Sequence, residues 1–145
     1  MRDIEEVARV AVDCGYKIHC ELGPGLLESV YEAVLALELG KSGMAVERQV
    51  PIPIVYDGLA LREGFRIDLL VERSLIIEVK SIEKLAPVHG KQLLTYLRLA
   101  KQPVGLLMNF GCGTYREGIK RVVNGHADFA SSRLRVNQIQ VPTEG

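Results

Sequence analysis

The stretch Val104-Gly105-Leu106-Leu107-Met108-Asn109-Phe110 constrains the fold more than any other part of the chain. A nearly continuous apolar run of strand length fits a central β-strand covered on both faces. Such a strand needs helices above and below its sheet. The preceding segment supplies one: residues 87–101 set Val88, Leu93, Leu94, Leu97 and Ala100 at helical spacing, with Lys91, Arg98 and Lys101 outward and Pro103 ending the pattern. Before it lies a second apolar strand, Leu75-Ile76-Ile77-Glu78-Val79-Lys80. Strand, helix and strand together predict a right-handed parallel crossover.

Upstream, Ile4, Val7, Ala8, Ala11, Cys14 and Ile18 predict an amphipathic helix over 3–20, broken by Leu22-Gly23-Pro24-Gly25. A second helix is predicted over about 26–42, with Val30, Val34, Leu35, Leu37 and Leu39 apolar and Gly40 and Gly43 marking its end. The period then changes. Val46, Arg48, Val50, Ile52, Ile54 and Tyr56 share one parity, and Pro51 and Pro53 point to an edge strand or an irregular one. Asp57-Gly58 signals a hairpin, the return strand runs over about 60–72, and Glu72-Arg73-Ser74 turns into the strand at 75–80. After Gly111-Cys112-Gly113, a short helix is expected at 115–124 and a last strand between Leu134 and Val141. The sum is one α/β domain over 1–145, a mixed sheet flanked by helices.

Charge narrows the function. Lys+Arg 18 equals Asp+Glu 18, which argues against a strongly basic nucleic-acid binder but leaves room for a local patch. Residues 80–101 carry such an excess, with Lys80, Lys84, Lys91, Arg98 and Lys101 against Glu83 alone. This is either a solvated helix face or a rim that holds a phosphate backbone, with Lys84 and Lys91 as substrate contacts. The three cysteines form no CxxC pair, which argues against a disulfide framework or a zinc site and for reduced thiols in the cytoplasm. MRDIEEVARV is unlike a signal peptide, and no apolar run approaches the roughly 18–20 residues that span a bilayer, so no membrane partner is expected.

The chemistry centres on Asp68, set inside Ile67-Asp68-Leu69-Leu70-Val71. Aspartate is depleted in strands, and a carboxylate there is costly unless solvated, paired or metal-bound. Glu78 and Lys80 share a face of the next strand, roughly 6.6 Å apart along it. Taken singly, each fits a solvated strand face. Antiparallel strands joined by a three-residue turn bring Asp68 beside Glu78, and paired carboxylates repel unless a cation sits between them. Carboxylates, water and phosphate are what Mg²⁺ prefers. Lys80 on the same face can orient or deprotonate an attacking water, or offset charge on a phosphate.

Asp68, nine residues, then Glu78-Val79-Lys80 resembles the D…(D/E)xK signature of the PD-(D/E)XK nuclease superfamily, with Ile67 where a proline is usual. Gly25-Leu26-Leu27-Glu28-Ser29-Val30-Tyr31 resembles the motif of the bacterial GxxExxY family, a branch of that superfamily. Gln92-Leu93-Leu94-Thr95-Tyr96 is similar to the QxxxY motif of RecB-like nucleases, and Val104 to Gly111 looks like the strand that follows it. The resemblance covers about residues 15–125. It implies a restriction-endonuclease-like core and a catalytic set of Glu28, Asp68, Glu78, Lys80 and Gln92. It also implies Mg²⁺ or Mn²⁺ on Asp68, Glu78 and the main-chain carbonyl of Val79, with Glu28 joining from its helix. Tyr31, Tyr96 and His89 would face the substrate, a nucleic acid with DNA ahead of RNA. The bland alternatives are a helix-start residue for Glu28, a core-edge tyrosine for Tyr31 and surface positions for the others. Two rival functions remain: a catalytically silent nucleic-acid-binding module, and a protein-interaction module that forms a homodimer through helix 3–20 or the proline-bearing edge.

Overall fold

The computed structural model describes residues 2–125 and 139–140. Two helices come first, α1 (Ile4–Leu22) and α2 (Glu28–Lys41), then three strands, β1 (Val46–Tyr56), β2 (Leu59–Val71) and β3 (Leu75–Lys80). Helix α3 (Pro87–Ala100) leads to β4 (Val104–Asn109), a single turn α4 (Tyr115–Gly118), β5 (Ile119–Val123) and β6 (Ile139–Gln140). The strands form one sheet in chain order, with β1 at its edge as Pro51 and Pro53 require. Only β3 and β4 pair in parallel; the other neighbours are antiparallel. Asp57 (φ 49) and Gly58 (φ 83) turn the β1–β2 hairpin in the left-handed region that a two-residue loop demands.

The sheet separates two apolar layers. Val7, Ala11, Ile18, Tyr31, Leu35 and Leu39 from α1 and α2 pack on Leu69, Val71, Ile77, Val79, Leu106 and Met108. Leu93, Leu94 and Leu97 of α3 pack on Ile67, Leu70, Ile76, Leu107 and Val122 from the other side. β4 is buried along its whole length, as its apolar run predicts.

Several local expectations change. α2 begins at Glu28 rather than 26, because Gly23 (φ 68) and Gly25 (φ 108) keep the chain in a turn that only glycine adopts freely. Leu37 (60% exposed) lies on the far side of α2 from Leu35 and Leu39, and Val88 (62% exposed) lies off the sheet-facing stripe of α3. The expected helix at 115–124 is one turn of helix followed by β5. The β-branched residues Ile119, Val122 and Val123 supply the antiparallel partner that the free edge of β4 needs. Of the expected last strand, Ile139–Gln140 pairs with β5, and the rest lies outside the described residues. Among those residues, no helix is long and apolar enough to cross a membrane.

The shared parity of β1 also breaks. Val46 packs in the α1/α2 layer, whereas Val50 and Ile52 pack in the α3 layer. Opposite Arg48 and Val50, Leu69 and Ile67 divide in the same way. The reversal falls at Gln49, whose φ of 52 turns the strand. It places Asp68 at the point where the sheet changes face.

Candidate active site

The β2–β3 ladder runs from Val71↔Leu75 to Leu69↔Ile77 and ends there. At the next position the carboxylates take over from the backbone. The Asp68 N–H donates to Glu78 Oε2 (3.1 Å), and the Val79 N–H donates to Asp68 Oδ2 (2.9 Å). Each side chain thus satisfies a main-chain donor of the opposite strand, which would otherwise be left unpaired as the strands part. The arrangement brings two acids together in a confined place. Glu78 is 7% exposed, and burial, then the charge of Asp68, pushes its carboxyl up to about 8. The Asp68 N–H and the nearby Lys80 ammonium oppose that shift. Asp68 is also raised by burial and by the charges of Glu32 and Glu28, while the Val79 N–H and Gln49 hold it down.

Glu32 was not singled out in the sequence, yet α2 buries it beside Asp68. Its carboxylate accepts from Arg48 Nε (3.1 Å) and from Gln49 Nε2 (2.8 Å). The same Gln49 amide donates to Asp68 Oδ1 at 3.3 Å. Only the four-residue spacing from Glu28 signalled Glu32. Nothing in the sequence signalled Gln49, because a polar residue on an edge strand is ordinary.

Lys80 is half-buried at the end of β3, paired in register with Asn109. Among the described residues, no hydrogen bond or ion pair holds its ammonium. Asn109, fully buried, secures the segment after it: Oδ1 accepts from the Ile82 N–H (2.9 Å) and the Gly111 N–H (3.0 Å), and Nδ2 donates to the Ile82 carbonyl (2.9 Å). Gly111 must lie close to this knot, since a Cβ there would stand 2.3 Å from the Ile82 carbonyl oxygen. A single polar residue in an apolar strand was the available clue to Asn109. Replacing Asn109 with alanine strands three backbone groups and is expected to cost about 2–4 kcal/mol in chemical denaturation.

Glu28 is exposed in the first turn of α2 and lines a groove of about 730 Å³ with Gly25, Leu26, Ser81, Ile82 and Glu83. It therefore faces the Lys80 end of the site and reaches Asp68 through its charge, not through a shared hydrogen bond. Tyr96 does reach the site from α3. It stacks on Phe65 with ring centroids 4.1 Å apart, and burial, then the Glu78 and Asp68 charges, raises its phenol. Gln92, one turn earlier on α3, is exposed, as are Lys84 and Lys91. His89 is half-buried, and its Nδ1 accepts from the Ala86 N–H (2.9 Å), which caps α3 rather than offering that nitrogen to a phosphate.

Tyr31 does not face a substrate. Its ring is fully buried and stacked on Phe110 at 4.7 Å, and its hydroxyl donates to the Gly23 carbonyl and accepts from the Leu26 N–H. The glycine loop closes on that hydroxyl, so the role of Tyr31 is structural: it fixes where α2 starts and hence where Glu28 stands. Tyr31→Phe is expected to lower stability by about 1–2 kcal/mol in a thermal melt and to leave metal binding unchanged.

Hard oxygen donors suit Mg²⁺ or Mn²⁺, and two acids that resist joint ionisation gain most from a cation between them. Among the described residues, no three His, Cys, Asp or Glu side chains form a ready cage.

A family model described as the PD-(D/E)XK nuclease superfamily matches residues 5–122 of the 145. Comparison with curated proteins and with solved structures gave no match. The matched span runs from α1 into β5 and contains Glu28, Glu32, Asp68, Glu78 and Lys80. With its mixed sheet, flanking helices and paired acids at the β2–β3 fork, the chain has a restriction-endonuclease-like α/β fold and belongs to the PD-(D/E)XK nuclease superfamily.

Proposed function

We propose that the chain is a metal-dependent nuclease that hydrolyses phosphodiester bonds of nucleic acid, DNA ahead of RNA, and that it is of the GxxExxY type. The observation that carries this is the β2–β3 fork, where Asp68 and Glu78 replace the ladder and Lys80 follows two residues on along β3. Asp68, Glu78 and the Val79 carbonyl would hold Mg²⁺ or Mn²⁺, with Glu28 near enough to add charge. The ion supplies positive charge at the phosphate and lowers the pKa of water. Lys80 orients the attacking water and offsets the charge that builds on the phosphate. Tyr96 and Gln92 line the α3 side, where Lys84 and Lys91 meet the substrate backbone. We place the protein in the cytoplasm, a reading that three unpaired cysteines support.

The test is cleavage of single- and double-stranded DNA and RNA with Mg²⁺ or Mn²⁺, against an EDTA control. Metal-dependent product is the expected result; no product on any substrate would remove the enzymatic reading. The groove beside Glu28 also holds Glu83 and, among the described residues, no basic residue, which favours the second reading, a catalytically silent protein-interaction module. That reading requires that the protein neither cleave nor retain nucleic acid, with or without the metal.

A further inference from the structure

Gln49 carries a side chain at φ 52 in the middle of an edge strand, a backbone that glycine would adopt freely and a residue with a Cβ adopts at a cost. The side chain makes use of that turn. In a regular strand, Arg48 and Gln49 would point to opposite faces. Here both reach Glu32, and Gln49 reaches Asp68 as well. A primary amide is the one uncharged side-chain group that offers two hydrogens from one nitrogen, one for each carboxylate. Asp68 is thereby held at both oxygens, Oδ2 by the Val79 N–H and Oδ1 by Gln49. Asp68 stands past the last paired residue of the β2–β3 ladder, so these two bonds are what fix its orientation.

We propose that Gln49, anchored by Glu32, is the positioning residue that sets Asp68 for metal binding. This rests on the metal-dependent reading of the site. Glu32 and Arg48 form the anchor: the ion pair fixes the Glu32 carboxylate, the carboxylate fixes the amide, and the amide fixes Asp68. Removing Gln49 frees Asp68 Oδ1 while leaving every metal-binding group in place.

The experiment measures Mn²⁺ binding by calorimetry in the full chain, with a melting temperature and a kcat and KM determination for each variant. Gln49→Gly keeps the turn without strain and removes only the side chain; Gln49→Met keeps the bulk and removes the donors. Both are expected to weaken Mn²⁺ binding by about 10–100-fold, as outer partners of metal ligands do. The fall in activity should appear in kcat with KM for the nucleic acid unchanged, and Gln49→Gly should melt no lower than the wild type. Glu32→Ala with Gln49→Gly should be no worse than the more damaging single change, because both act through one chain of contacts. Wild-type affinity in Gln49→Gly, an affinity loss that only follows a drop in melting temperature, or additive effects in the double variant would each overturn the proposal alone. A wild-type protein that binds no Mn²⁺ would overturn it together with the metal reading of the site.

Discussion

Glu78→Gln is expected to make the metal-free protein more stable at pH 8 and unable to bind a divalent ion. The carboxyl titrates near 4.5 when exposed, but burial beside Asp68 pushes it up to about 8 in the folded chain. Between those values the folded state keeps a proton that the unfolded state has lost. Stability contributed by this group therefore falls as pH rises from about 4.5 to about 8, and levels off above that. The direction is opposite to that of a salt-bridged carboxylate. A glutamine cannot ionise, so it avoids the penalty while its oxygen still accepts the Asp68 N–H. The gain at pH 8 is on the order of a few kcal/mol. Denaturant melts of both proteins in EDTA, from pH 5 to pH 8.5, should give curves that diverge as pH rises. Added Mn²⁺ should stabilise the wild type and leave the variant unmoved. A wild-type stability independent of pH across that window would show that the Glu78 carboxyl is not raised.

Lys80→Ala is expected to separate binding from chemistry. The amine shares the Glu78 face of β3, and among the described residues it makes no ion pair whose loss would disturb the fold. Its removal should leave Mn²⁺ binding in place and lower the cleavage rate by about 10²–10⁴-fold, the usual contribution of a positioned acid–base group. Glu78→Gln loses the metal as well as the rate; Lys80→Ala should lose the rate alone. Single-turnover cleavage beside calorimetry of the same samples distinguishes the two. Equal loss of metal binding in both variants would make Lys80 a structural residue.

The two apolar strands, the hairpin glycine and the helical periods made most of the fold legible, because each signals a local geometry that the packing then keeps. The fork residues Asp68, Glu78 and Lys80 were legible for a related reason: charges inside apolar strands are costly enough to need a cause. The reversal at Gln49 was not, since a left-handed backbone on a non-glycine residue leaves no mark in composition or period. Without that reversal, Glu32, Arg48 and Gln49 read as unrelated polar residues. Tyr31 was ambiguous because a tyrosine at a helix start serves equally as a contact or as a clamp. The choice between them depends on the Gly23–Leu26 loop folding back onto its hydroxyl. β5 was hidden for a different reason. Five residues following a helical turn show too little pattern, and their strand character comes from pairing with β4.

The central claim is that Asp68 and Glu78 together hold a divalent ion. A crystal structure of the protein grown with Mn²⁺ tests it most directly, through the anomalous signal of the metal. The account predicts one peak at the β2–β3 fork, with an oxygen of each carboxylate in its inner shell, near the roughly 2.0–2.1 Å typical of Mg²⁺. It predicts too that Glu78 has let go of the Asp68 N–H. A fork with no peak, its two carboxylates still bonded to the Asp68 and Val79 N–H groups at millimolar Mn²⁺, would contradict it.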